Sequence, residues 1–200
     1  MAAERRKSFD GGLASLNDRR MKVRQDTDAF TTRLRTVFRW RNNGAQMEGW
    51  WAHADVLSGL GPALARLHGH ARPSVVIAPE ARGFVVGPLV AIQAGAGFIE
   101  MRKGRSDGDY GDEVMVRSTP PDYQHRTLDW VVQRRFLHPG HRVLFVDDWV
   151  DTGATAQTAR RIVDDSGATF IGAAAIVDAT DGRSHPDLRL RALLRLRELH

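Results

Sequence analysis

A chain of 200 residues, 42% hydrophobic and 26% charged, suits an ordinary globular domain with enough length to bury a real core. It has no cysteine, which excludes disulfides, thiolate metal sites and cysteine nucleophiles. The net charge of +5 would suit nucleic acid, but lysine occurs only at positions 7, 22 and 103, and an arginine surplus serves small anionic substrates as well, so no nucleic-acid partner is expected.

Residues 1–26 are polar and basic, with Arg5-Arg6-Lys7 and Arg19-Arg20, and read as a mobile extension. Phe30, Leu34, Val37 and Phe38 recur at helical spacing, which predicts a helix over 27–41. Leu57, Leu60, Leu64 and Leu67 mark a second helix that ends near Gly69. From there strands and helices alternate. Residues 74–78 form a short buried strand, 84–94 a helix and 97–101 the next strand. The interval 103–121 is glycine-rich, charged and closed by Pro120-Pro121; its length predicts a flexible active-site loop rather than a connector. Leu128, Trp130 and Val132 alternate in a half-buried strand over 127–133. A strand at 142–146, a helix at 155–166 and a strand at 170–177 follow. This order predicts an α/β fold with a parallel, doubly wound sheet, and ligands at the C-terminal ends of its strands. No apolar run reaches membrane-spanning length and the N-terminus lacks the apolar core of a secretion signal. A cytoplasmic chain with no membrane partner is therefore expected.

The most informative stretch is 142–158, RVLFVDDWVDTGATAQT. An apolar strand runs into Asp147 and Asp148, and Asp151-Thr152-Gly153-Ala154-Thr155 then opens a helix. Backbone N–H groups of such a turn can wrap a phosphate. The adjacent carboxylates can accept hydrogen bonds from sugar hydroxyls. A helix cap would explain one Asp or Thr, but not two consecutive carboxylates closing a buried strand, which destabilise if left unpaired. The segment resembles the phosphoribosyl pyrophosphate (PRPP) signature of the type I phosphoribosyltransferases. It departs at Trp149, where that family has a small or aliphatic residue.

Residues 76–103, VIAPEARGFVVGPLVAIQAGAGFIEMRK, resemble the adenine members of the same family. Glu80-Ala81-Arg82-Gly83-Phe84, Gly87-Pro88-Leu89, Gly95 to Phe98 and Arg102-Lys103 stand in the family's order. The resemblance covers residues 74–178 and implies the family's fold, a parallel doubly wound sheet with a small N-terminal hood. On that scheme 27–200 is the transferase domain, with hood and first helices at 27–72 and core at 73–178. It implies transfer of the 5-phosphoribosyl group of PRPP to a nitrogenous base, a purine such as adenine, giving a nucleoside monophosphate and pyrophosphate.

The resemblance also assigns roles. Asp147 and Asp148 would grip the ribose hydroxyls and offset positive charge at the anomeric carbon. Asp151, Thr152, Gly153, Ala154 and Thr155 would hold the 5′-phosphate, and Asp151 would also move a proton at the base. Glu80, Ala81, Arg82, Gly83, Arg102 and Lys103 would hold pyrophosphate, and a non-proline cis peptide is expected beside Ala81. Trp50, Trp51 and Phe84 would bind the base, the tryptophans by stacking. Mg²⁺ is the expected cofactor, held mainly by PRPP and water, so no protein metal cage is expected. A homodimer is implied as well. Two departures leave the base open: Gln124-His125-Arg126 stands where adenine enzymes carry Glu-Tyr-Gly, and Asp151 stands where they have alanine and hypoxanthine-guanine enzymes aspartate. His53 and His125 are further polar candidates. Two other readings stay open, a PRPP- or nucleotide-binding regulator with a nucleic-acid partner and a homologue that no longer turns over.

Overall fold

The computed structural model describes residues 18, 21–22, 25–42, 44–104, 113–120, 127–183 and 186–200. Most of the basic extension lies outside the described residues, as do Gln124-His125-Arg126 and residues 105–112 of the expected loop. The chain divides into two compact units, Met1–Val56 and Leu57–His200.

In the first unit, residues 25–37 are helical (α1). β1, Arg39–Arg41, pairs antiparallel with β2, Gly44–Gln46, and α2 is Glu48–Ala52. The first helix therefore stops before the predicted residue 41, and the chain turns instead into a short hairpin. Asn42, at φ 49°, adopts the left-handed conformation that Asn tolerates in tight turns. Trp50 is wholly buried; its indole N–H donates to Leu34 O at 2.9 Å and its ring packs 5.5 Å from Phe38.

Helix α3, Ala54–Leu67, crosses the division and carries the leucine spacing read from the sequence. The second unit continues with β3 (Val75–Pro79), α4 (Gly83–Ala94), β4 (Gly97–Lys103), β5 (Val114–Ser118) and β6 (Asp129–Gln133). It ends with β7 (Arg142–Val150), α5 (Ala154–Asp165), β8 (Thr169–Asp178) and β9 (Arg191–Arg195). The seven strands form one sheet in the order β5-β6-β4-β3-β7-β8-β9. β4, β3, β7, β8 and β9 are parallel, whereas β6 runs antiparallel to both β4 and β5.

The expected parallel α/β sheet is thus present, with an antiparallel edge the sequence reading did not contain. Parallel neighbours need a crossover of a dozen or more residues, usually a helix. Among the described residues no helix separates β4, β5 and β6, so these strands fold back on one another. Strand β5 occupies part of the interval expected to be a loop.

Strand β7 sits between β3 and β8, and Val143 to Val146 are fully buried because both faces of the sheet are covered. One face, with Ile77, Met101 and Phe145, packs with Ala159, Ile162 and Val163 of α5 in a single apolar cluster. The other face, with Ala78 and Phe98, receives α4 at very close range. A Cβ on Gly87 would lie 2.6 Å from Phe98 Cε2 and 2.8 Å from the Cβ of Ala78. From β3 the chain steps outward to β4 and then returns to β7 on the other side. The strand order therefore reverses between β3 and β7, where open α/β sheets bind their ligands.

Gly87→Ala tests this approach. The Cβ of Ala78 is fixed to a central strand and cannot rotate away, so α4 must shift. We expect about 1–3 kcal/mol of destabilisation, read as a fall in Tm of several degrees; an unchanged Tm would show that the helix does not lie this close.

Candidate active site

Two cavities open at the strand-order reversal, both lined by residues of the second unit. The larger, about 350 Å³, is lined by Glu80, Ala81 and Arg82 after β3, by Asp147 and Asp148 of β7, and by Thr155 in the first turn of α5. Lys103 and Trp130 contribute from β4 and β6. The smaller, about 150 Å³, is enclosed by the run from Asp151 to Thr155. Asp147, Trp149 and Thr155 line both.

Local sequence explains the smaller cavity. Gly153 takes φ 78°, which places it in the left-handed region and lets the chain turn from β7 directly into α5. The Thr152 hydroxyl accepts the Ala154 N–H at 3.2 Å. With Asp151 and Thr152 exposed and the α5 N-terminus behind them, the loop presents backbone donors to an anion.

The larger cavity gathers charge. Strand β7 runs on through both acids rather than ending at Val146, so Asp147 and Asp148 stay in the sheet. The Asp147 Oδ1 accepts the Asp148 N–H at 2.9 Å. Burial, followed by the charge of Asp148, pushes the Asp147 carboxyl well above the ordinary carboxylate range, with Arg82 pulling weakly the other way. The Asp148 side chain is only 3% exposed, and Arg82 Nε stands 2.5 Å from its Oδ2. This is an ion pair held by charge alone, because Oδ2 has no hydrogen-bond partner. The peptide between Glu80 and Ala81 is cis, as the family resemblance implies.

The remaining candidates divide. Glu80 lies 4.0 Å from Arg102, and both Glu80 and Ala81 face the cavity. Lys103 lies with its ammonium 5.6 Å from the Trp130 ring centroid. Gly83 is buried at the start of α4, where a Cβ would meet Pro79 Cδ at 2.7 Å; its role is to let the helix begin against the strand. Arg102 is turned to Glu100, 2.6 Å away, and over the Phe84 ring, while Phe84 packs edge-on against Phe98. Neither Arg102 nor Phe84 is among the residues lining the cavity. Trp50 requires correction: with no exposed surface it has no face to offer a base and instead packs the first unit. Trp51 is partly exposed, edge-on to Trp50. His53 is exposed, and His125 lies outside the described residues. Sequence reasoning missed Leu128 and Trp130 as cavity walls. Their alternation over 127–133 was visible, but not the antiparallel return that brings β6 beside Lys103.

A family model described as phosphoribosyl transferase domain matches residues 53–192. The adenine phosphoribosyltransferase of Acidothermus cellulolyticus is 35% identical over 148 residues, covering 72% of this chain and 81% of that protein. The adenine phosphoribosyltransferase of Trichormus variabilis is 37% identical over 123 residues, 60% of this chain and 68% of the other. Among solved structures, adenine phosphoribosyltransferase from Rhodothermus marinus superposes with a TM-score of 0.74 at 23% identity, over 84% of this chain and 99% of that one. The Leishmania donovani enzyme of the same name gives 0.72 at 20% identity, over 86% and 82%. At these identities the structures establish a shared fold.

Asp147 carries a stability consequence. Its folded-state pKa lies above the ordinary value, so its penalty is absent in acid. The penalty grows as pH rises through the ordinary carboxylate range and is complete above the folded pKa. Asp147→Asn keeps an oxygen for the Asp148 N–H and removes the charge. Thermal melts should show the variant about 2–4 °C more stable at pH 8, with no gain near pH 3; equal melting temperatures at pH 8 would mean that Asp147 is not strained by its surroundings.

Proposed function

The chain belongs to the phosphoribosyl transferase domain family, and from that premise we propose that it transfers the 5-phosphoribosyl group of PRPP to a purine base, with adenine as the first candidate, and releases pyrophosphate. What carries this reading is the meeting in one cavity of Arg82 from the end of β3, the acid pair of β7 and Thr155 from the start of α5. A cation for a leaving anion, carboxylates for a diol and an N-terminal helical turn for a phosphate are the three recognitions that PRPP requires.

In the reaction a base nitrogen bonds to the anomeric carbon as the bond to pyrophosphate oxygen breaks. The electron pair leaves with pyrophosphate, and the base loses its N–H proton. The loop from Asp151 to Thr155 holds the 5′-phosphate and fixes the sugar. Asp147 and Asp148 accept the sugar hydroxyls and face the positive charge that grows on the ring, in surroundings where such charge is poorly screened. Arg82 neutralises the leaving group, and Lys103 approaches it from β4. Asp151, exposed in the smaller cavity, is the nearest acid of the phosphate loop for the base proton.

Mg²⁺ fits this donor set. The cavity offers hard carboxylate oxygens, while among the described residues no cluster of three or more His, Cys, Asp or Glu could cage a metal. The ion would be held by PRPP oxygens and water, with Asp147 and Asp148 behind them, and would supply charge neutralisation for the pyrophosphate. A homodimer and a cytoplasmic setting belong to the same reading and rest on the family resemblance; no described helix is long and apolar enough to cross a membrane.

Pyrophosphate release from PRPP and Mg²⁺ against a panel of purines, pyrimidines and other heterocycles tests the proposal. Release is expected with a purine, and Asp148→Ala should lower kcat/KM by about 100-fold or more. PRPP binding without release for any base would instead favour a regulator or an inactive homologue. Comparing adenine with hypoxanthine in the wild type and in Asp151→Ala tests the role of Asp151.

A further inference from the structure

On the transferase reading, which it presupposes, the geometry points to Arg82 as a latch that keeps Asp148 from the sugar until pyrophosphate draws it away. The Asp148 side chain is 3% exposed, with Arg82 Nε against Oδ2 at 2.5 Å. A ribose hydroxyl that is to bond Oδ2 must first displace the guanidinium. Arg82 is free to do so. Its side chain is 56% exposed, Asp148 is its one ion-pair partner among the described residues, and the contact lacks hydrogen-bond geometry.

Moving Arg82 into water would strand a buried carboxylate beside Asp147, which is unfavourable. A pyrophosphate in the same cavity removes that obstacle, because it offers the planar guanidinium several anionic oxygens at once. Once Arg82 has transferred, Asp148 is released to the hydroxyls, and their hydrogen bonds replace the lost ion pair. The two halves of PRPP therefore help each other to bind. Ribose 5-phosphate or a nucleoside monophosphate, which has the sugar without pyrophosphate, must open the latch unaided. After transfer, departure of pyrophosphate returns Arg82 to Asp148 and loosens the nucleotide.

The sign of this coupling is diagnostic. Two anions placed in one site repel and should weaken each other's binding. The latch predicts the opposite, and by thermodynamic reciprocity the same factor from either side. Titration calorimetry should be run with ribose 5-phosphate and inorganic pyrophosphate, singly and together, in EDTA so that no bridging cation can link them. In the wild-type chain, saturating pyrophosphate should tighten ribose 5-phosphate binding about 5-fold or more. In Arg82→Gln the synergy should vanish or reverse, and ribose 5-phosphate alone should bind at least as tightly as to the wild type. Asp148→Asn removes the ion pair from its other side and should also abolish the synergy, which keeps the test decisive should Arg82→Gln fold poorly. Binding of both ligands to the wild type without synergy, or synergy that survives both variants, overturns the latch and leaves the transferase reading intact. Failure of either ligand to bind, together with no turnover of PRPP, overturns both.

Discussion

Two carboxylates on consecutive residues of a central strand are the constraint on which the rest of this site depends. Neither charge is comfortable there. Asp148 is almost fully buried, and burial together with its neighbour drives Asp147 toward its protonated form. A nearby cation eases such a pair, and Arg82 against Asp148 supplies one, while the upward shift at Asp147 reflects what burial and the neighbouring charge leave uncompensated. The same discomfort makes the pair useful. Carboxylates in a dry cleft interact with a developing cation more strongly than carboxylates in water.

Topology supplies the cation. β3 and β7 are neighbours in register, with Ile77 opposite Phe145. β3 ends at Pro79, and Pro79 and the acids line the same cavity, so the turn after β3 opens beside the acids. Helix α4 must begin within this turn, and it can because Gly83 and Gly87 leave no side chain between helix and sheet. The small residues of α4 thus determine how close Arg82 stands to Asp148. On the other side, Gly153 turns β7 into α5 within three residues, which fixes the phosphate loop at a set distance from the acids. The turn after β3, the acid pair and the loop before α5 are in this way held by two adjacent strands and the two helices that follow them.

Much of this was legible in the chain itself, because it is local. The run from Arg142 to Thr158 shows its strand, acids and loop in sequence order, and the run from Val75 to Ala94 shows a strand, a charged turn and a helix. What could not be read is non-local or weakly patterned. Strand β5 lies among glycines and charges and exists because β6 offers it a partner. The hairpin at Arg39–Gln46 carries no alternation, and a helical spacing that ran on to Phe38 concealed it. β9 pairs with β8 although Arg191 and Arg195 at its two ends make it read as a solvent-exposed stretch. Trp50 shows the limit for single residues: tryptophan has one composition signal for a stacking platform and for a core, and only burial separates the two.

Trp149 is the residue whose consequence reaches furthest beyond its own contacts. It follows the acids directly and lines both the cavity at Arg82 and the one at the phosphate loop. On the transferase reading, a sugar joined at one end to a 5′-phosphate and at the other to pyrophosphate would extend past this side chain, whichever base replaces the pyrophosphate. A small or aliphatic residue there would offer both cavities less surface than the indole does. On the transferase reading the acids would select the group that is gripped, and the indole would limit the room that group has while it is held. In a reaction whose partners must be closely aligned, restricting the sugar to one path past such a ring would itself contribute to rate.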